Sequence, residues 1–288
     1  MWLDATGKEL EHWGEPGPFT GGNMTLGGHL AVLVRDNPDT IGNSLWVVDT
    51  ERKKVTRLTP DSPMFQSGVV SADGKTLVTT SEGGGDSVLM LRSLSSGKEE
   101  KLTEREGSTA VRSQSRDGRY AFFRIQDPKT SYDIYSLDLI GDRKLAPVLN
   151  SPYDETNPKL SPDNKWLAYS STENGQNDLY VMPFPGGGSK WQVSSGGIDS
   201  DFNTSVLDWS PDGKSLNYRH NDKIYTVEVR IHGNKPEFSA PKELMSIPQV
   251  VDLISILTDG KRTLATRPVG QRIAYPQNLI LNWQHLVR

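Results

Sequence analysis

One five-residue turn is written repeatedly along this chain, and its spacing constrains the fold more than any other feature. It reads SADGK at Ser71, SRDGR at Ser115, SPDNK at Ser161, SPDGK at Ser210 and LTDGK at Leu257, with a worn copy, TLGGH, at Thr25. The third residues of the copies stand at 27, 73, 117, 163, 212 and 259, giving intervals of 46, 44, 46, 49 and 47 residues. A constant period of this length marks a repeat architecture. The turn has a physical reason: Asp hydrogen-bonds its own backbone two residues on, and Gly accepts a positive φ without a Cβ clash. Asn164 stands for Gly in one copy and also tolerates that conformation.

Around each turn lie short apolar strands. After it come TLVTT, YAFFR, WLAYS and SLNYR; further on come SLWVVD from Ser44, SVLMLR from Ser87, DIYSLD from Asp133, DLYVMP from Asp178, KIYTVE from Lys223 and NLILNW from Asn278. A fourth edge such as KVTRLT from Lys54 or KWQVSS from Lys190 usually follows. Four antiparallel strands per repeat of this length are the pattern of a propeller blade. The expectation is an all-β, six-bladed β-propeller of four-stranded antiparallel blades, occupying 1–288 as a single domain. The sixth unit stops short of an outer edge, whereas residues 7–14 at the N-terminus read as an orphan strand. That strand is expected to complete the last blade, with Lys8 to Trp13 pairing near Leu279 to Trp283, closing the ring and removing two open edges.

Composition narrows the function classes. The 32 Lys plus Arg against 36 Asp plus Glu leave a net charge of −4, so nucleic acid and anionic lipid are not expected partners. There is no cysteine, which excludes disulfides, thiolate nucleophiles and thiolate metal sites. The 27 Gly and 18 Pro fit many short strands joined by tight turns. The opening MWLDATGKELEHWG lacks the basic flank and apolar run of a secretory signal, and no apolar window reaches the length of a membrane-spanning helix, so no direct membrane insertion is expected.

The wording of the repeats, SPDNKWLAYSSTENGQNDLYVMPFPGGGSKWQVSSGG and WSPDGKSLNY, resembles the WD-like repeats of TolB-type propellers. More narrowly, WLDATGKELEHWGEPG, DPKTSYDIYSLDLIGDRKLAPVLNSPYDE and LILNWQHL resemble the propeller regions that follow the kinase and membrane segments of acidobacterial-type serine/threonine kinases. The resemblance spans nearly the whole chain. It implies a sensory or protein-binding propeller, usually outside the cytoplasm in the periplasm, with the kinase elsewhere in a longer protein. This sequence carries no Gly-rich phosphate loop opening a helix, no HRD and no DFG, so kinase activity is not implied for it.

A search for catalytic constellations returns little. No G-x-S-x-G is present, and a sialidase-type box needs a residue between its Asp and Gly, which these copies join directly. His12, His29, His220, His232 and His285 lack the spacing of a helical zinc site. The triple glycines at 83–85 and 186–188 open no helix that would hold a phosphate and read as hairpin tips. No cofactor and no metal are expected. Trp46, Tyr135, Tyr180 and Tyr225 occupy equivalent positions in successive third strands, a placement that points to packing between blades.

One constellation remains. The connections into the innermost strands carry Asp61, Glu104, Glu106, Asp154, Glu155, Asp199, Asp201 and Asp252, with Arg105, Arg112 and Asn157 nearby. In a propeller these loops share a face, so the carboxylates are expected at the channel mouth, attracting a cation or a basic peptide segment; solvated loops are the alternative. The function expected is a non-catalytic module binding a protein, peptide or small ligand there. A carboxylate-dependent glycan- or peptide-processing enzyme is the competing reading, and it requires two acids facing a shared cavity.

Overall fold

The computed structural model describes residues 1–4, 6–25, 29–37, 39, 42–62, 65–199, 207–247, 252–253 and 262–266. In four of the repeated turns the same atoms do the same work. Ser161 Oγ donates to Asp163 Oδ1 at 2.6 Å and accepts the Trp166 N–H at 3.0 Å, while the Lys165 N–H donates to Asp163 Oδ1 at 3.2 Å. Ser71, Ser115 and Ser210 repeat this arrangement with Asp73, Asp117 and Asp212. The fourth residue takes a positive φ, 61° at Asn164 and 70° at Gly213, the left-handed region that Gly and Asn enter at least cost. The serine hydroxyl, not only the Asp-Gly pair, holds the hairpin. In the worn copy Thr25 keeps that role, its Oγ1 accepting the Leu30 N–H at 3.2 Å, and residues 26–28 lie outside the described residues, as does the copy at 257–261.

These turns join the first two strands of each blade. Blade 1 runs Phe19–Met24, Leu30–Asp36, Asn43–Asp49, Lys54–Arg57, and blade 2 Phe65–Val70, Thr76–Gly83, Asp86–Ser93, Glu99–Glu106. Blade 3 runs Thr109–Gln114, Tyr120–Asp127, Ser131–Asp138, Leu145–Leu149, and blade 4 Glu155–Leu160, Trp166–Ser171, Asp178–Pro183, Trp191–Gln192. Blade 5 comprises Leu207–Trp209, Ser215–His220, Lys223–His232 and Lys242–Ser246; the far half of its long third strand also pairs with Lys235–Phe238 as a projecting hairpin. All pairings are antiparallel, and the described residues form an all-β, six-bladed propeller without helix.

The sixth blade is assembled from both ends of the sequence, in the order Asp252–Leu253, Thr263–Thr266, Trp2–Leu3, Glu9–Glu11. The N-terminal segment thus closes the ring with two strands where one was expected. Trp2 and Leu3, each 2% exposed, pair with Leu264 and Thr263, and the N-terminal ammonium donates to Ala265 O at 2.8 Å. Asp4 accepts the N–H groups of Thr6 and Lys8 and turns the chain back, so that Glu9–Glu11 becomes the outer edge against Trp2–Leu3. Residues 279–283, the expected partner of Lys8 to Trp13, lie outside the described residues.

Every blade junction buries its own apolar cluster. Trp166, Leu179 and Val181 meet Leu207, Trp209 and Leu216 between blades 4 and 5, and Trp2 and Leu264 meet Met24, Leu33 and Val48 between blades 6 and 1. The remaining four junctions are filled likewise. The repeated aromatics pack there: Tyr180 stacks on Tyr169 with ring centroids 5.8 Å apart, Tyr225 on Tyr218 at 5.6 Å, and Trp46 meets Phe19 edge-on. Burial raises the Tyr180 phenol to about 12, with Glu173 adding to the effect. These rings are structural, as their equivalent sequence positions suggest.

Candidate functional site

The innermost strands of the blades line a central channel, with those of blades 1 and 2, 2 and 3, 3 and 4, 4 and 5, and 6 and 1 packed side by side. Two of them carry adjacent irregularities. In blade 3 the register to the second strand slips between Val111 and Ser113, and in blade 4 between Thr156 and Lys159, where Asn157 has φ +55°. Bulges re-aim side chains and gather beside functional sites. Here they bring Arg112 Nη2 to 3.5 Å from Asn157 Oδ1 across the blade boundary. The two strands are also bonded directly, Ser113 Oγ donating to Pro158 O at 2.6 Å.

Toward the turn face the channel holds a small cavity of about 30 Å³. Among the described residues its polar lining comprises Asn23, Thr25, Arg112, Ser113, Gln114, Arg116, Lys159 and Asp208, contributed by blades 1, 3, 4 and 5. Lys159 Nζ stands 3.8 Å from Asp208 Oδ2, both side chains almost fully enclosed at 12% and 11% exposure. That separation is an ion pair without a hydrogen bond, and the ammonium donates to no other described residue. Among the described residues Asp208 accepts the Trp209 N–H alone, at 3.1 Å; burial raises its carboxyl above the usual range, partly offset by Lys159. Arg116 reaches across from blade 3 to donate to Pro211 O in the blade 5 turn at 3.3 Å.

The residues expected at the mouth are dispersed. Glu104 and Glu106 lie on the outermost strand of blade 2, with Glu104 ion-paired to Lys101, because the strand runs on through the segment expected to be a connection. Arg105 on that strand donates to Thr109 Oγ1 at 3.0 Å. Asp61 is paired with Arg57 at 3.0 Å. Asp199 holds Arg219 Nε at 2.8 Å and the Asn221 N–H at 2.7 Å, tying it to blade 5. Asp154 accepts the Tyr132 N–H at 3.3 Å. Glu155 is the buried first residue of its inner strand, bonded by Ser151 Oγ and the Ser151 N–H; burial pushes its carboxyl up. Asp201 and the Asp252 side chain lie outside the described residues, although Asp252 opens the inner strand of blade 6. Of the expected set, Arg112 lines the channel cavity and Asn157 accepts from the Arg112 guanidinium.

Sequence reasoning passed over Asn23, Gln114, Lys159 and Asp208. A signal for them exists: Asn23, Val69, Ser113, Lys159 and Asp208 each stand two residues before the first residue of a turn copy, and all five line the cavity. Strand alternation carries this position to the channel side in blades 1–5. Aligning the units on the turn therefore isolates a column of channel residues. Among the described residues no group of three or more His, Asp or Glu is arranged to hold a metal ion, and no helix is long and apolar enough to cross a membrane.

The fold is shared with solved structures. TolB from Acinetobacter baumannii superposes with a TM-score of 0.58 at 22% identity, covering 87% of this chain and 65% of that one. A putative TolB from Agrobacterium tumefaciens gives 0.59 at 16% identity, over 89% of this chain and 93% of that one. An oligogalacturonate lyase from Vibrio parahaemolyticus gives 0.51 at 13% identity, over 83% and 68%. At such identities the likeness concerns the fold, and this chain spans just under two thirds of the A. baumannii protein. No curated protein sequence matches the chain. Residues 30–237 match the family model described as PD40, TolB beta propeller domain; the chain, whose channel and blades are those described above, belongs to the TolB beta-propeller family.

Proposed function

We propose that the chain is a non-catalytic binding propeller that takes a small ligand, peptide or protein segment into its channel. One observation carries this reading: channel-facing positions of separate blades, equivalent by repeat, supply Asn23, Lys159 and Asp208 to a single cavity that Arg112 and Gln114 also line. A concave site with few, converging polar groups is the general form of a ligand pocket, and propellers leave such a face free because the blades bury one another. The enzymatic alternative needs two carboxylates on one cavity; Asp208 is the one acid among the described residues lining this one. Membership of the TolB beta-propeller family supports an extracytoplasmic, periplasmic site of action. On the narrower resemblance, the propeller is the sensing module of a longer protein with a kinase elsewhere in its chain.

The test is a binding panel read by backbone amide shifts. Acidic, neutral and basic short peptides and oligogalacturonate are titrated into the protein and into Asn23→Phe, which places a ring in the channel. The expected result is that at least one ligand shifts amides of 112–116, 159–160 and 208, and that Asn23→Phe abolishes the effect. If no ligand perturbs those amides, or if turnover of a ligand is detected, the reading fails.

A further inference from the structure

We propose that the connection 150–154, which leads from blade 3 into the inner strand of blade 4, is a proton-controlled strap, fastened while Asp133 carries a proton and loosened when Asp133 ionises. Two enclosed acids hold it. At its start Asn150 Nδ2 donates to Asp133 Oδ2 at 2.6 Å, an oxygen that also accepts from Thr130 Oγ1 at 2.8 Å. The next residue, Ser151, grips Glu155 through its Oγ and its N–H. Asp154 then stitches the far end to both blades: its Oδ1 accepts the Tyr132 N–H at 3.3 Å, and its own N–H donates to Thr172 Oγ1 at 3.0 Å. Between these anchors the chain is exposed at Pro152 and Tyr153.

Asp133 is fully enclosed. Both of its donors reach Oδ2, and Oδ1 has no partner among the described residues. The repeat supplies a control. Asp178 holds in DLYVMP the place that Asp133 holds in DIYSLD and is equally enclosed, yet both its oxygens are supplied, Oδ1 by the Gly197 N–H and Ser194 Oγ, Oδ2 by Gln192 Nε2. An enclosed, ionised carboxylate with a bare oxygen is costly, whereas a protonated one buries no charge. Burial accordingly raises the Asp133 carboxyl; Asp127 on its own hairpin adds to the effect, while its two hydrogen bonds and Arg105 from the outer strand of blade 2 oppose it. From blade 4, Glu155 is raised by burial and further by Asp133, with Lys190 opposing, and burial also pushes up the Tyr169 hydroxyl that faces Glu155. Asp133 thus binds its proton more tightly in the folded chain than in the unfolded one. The fastening it provides is fully present below the ordinary 3.8 and is lost as pH rises through the raised value. Charge on Asp133 calls for water at Oδ1, and the exposed connection is the element that lifts to admit it, a local opening and not a global one.

The experiment is amide hydrogen exchange on the intact chain, read as protection factors from about pH 4 to pH 8. In the wild type the amides of Ser151, Tyr153 and Asp154 are expected to lose roughly tenfold or more of their protection across that range, while those of 134–137 in blade 3 and 167–170 in blade 4 keep theirs. Asp133→Asn, which cannot ionise, should hold the strap's protection level over the whole range, and Asp178→Asn should leave its pH dependence as in the wild type. Asn150→Ala removes a donor without touching a charge, so the strap should be poorly protected even at the acid end; this variant decides the matter if Asp133→Asn does not fold, and unchanged protection in it would sink the idea. A pH-independent strap in the wild type overturns the proposal. So does a dependence that survives Asp133→Asn, which together with its disappearance in Glu155→Gln would make Glu155 the controlling acid. Loss of protection in all blades together overturns it too, since global unfolding would then carry the titration.

Discussion

Replacing Trp2 with Ala should be among the most damaging single changes in this protein, although it lies one residue from the start of the sequence. The side chain is 2% exposed, joins the cluster of Met24, Ala31, Leu33, Val48 and Leu264 between blades 6 and 1, stands edge-on to Trp13 with ring centroids 6.1 Å apart, and carries the Arg262 guanidinium 4.8 Å above its ring. Truncating a buried Trp to Ala removes its transfer free energy and leaves a cavity, together about 3–5 kcal/mol. The edge-on pair with Trp13 adds roughly 0.5–1.5 kcal/mol that the truncation also removes. With each kcal/mol moving the midpoint by roughly 2–4 °C in a chain of this size, a loss near 4 kcal/mol corresponds to about 8–16 °C. Urea and thermal unfolding followed by far-UV circular dichroism measure it, with Leu10→Ala as the reference, since Leu10 sits in the adjoining outer strand but is 51% exposed and should shift stability by less than about 0.5 kcal/mol. Equal, small effects of the two variants would refute the idea that the N-terminal strand closes the ring.

Three further substitutions test other parts of the fold. Asp178, fully buried at the start of a third strand, accepts from the Gly197 N–H at 3.0 Å, Ser194 Oγ at 3.2 Å and Gln192 Nε2 at 3.0 Å; Asp178→Ala strands three donors and should cost about 3 kcal/mol in denaturant unfolding, Asp178→Asn clearly less, and a cost below 1 kcal/mol for the Ala variant would deny the node its role. Ser161→Ala deletes the hydroxyl that receives the Trp166 N–H and grips Asp163, for an expected loss of about 1–2 kcal/mol; no change in urea midpoint would return the turn's stability to Asp163 and Asn164 alone. Burial raises the Glu155 carboxyl above its ordinary 4.5, so its contribution is fully present below that value and is lost as pH rises through the raised folded value. The stability of wild type relative to Glu155→Gln should accordingly be more favourable at low pH than at neutrality, and unfolding curves with a flat or reversed difference would contradict the burial argument.

The blade count, the all-β class and the packing role of the repeated aromatics were legible in the sequence because they depend on local chemistry recurring at a fixed period. The bonds that shape a Ser-x-Asp-Gly turn lie within its own six residues, and strand alternation decides which face of a blade is apolar. Tyr135, Tyr180 and Tyr225 could therefore be assigned to blade junctions without knowing which blade they met. The boundary of a connection was not legible to the same degree. Glu104 and Glu106 sit among polar residues that read as a loop, but pairing with Val88 and Asp86 draws them into an outer strand, since an edge strand needs a ladder partner more than an apolar face.

The site depended on tertiary structure for a different reason. Lys159 and Asp208 are 49 residues apart in sequence and face each other because inner strands of successive blades lie side by side around the channel; no local propensity records that distance. Likewise the bulges at Arg112 and Asn157 are visible only as register shifts against neighbouring strands, and the pairing of Asp199 with Arg219 decides that this acid is tied up within the protein. The repeated turn determined by itself how many blades there are and where each begins. Which charges are left facing the channel was settled only when the ring closed, because an ion's availability depends on what the fold sets within hydrogen-bond distance of it.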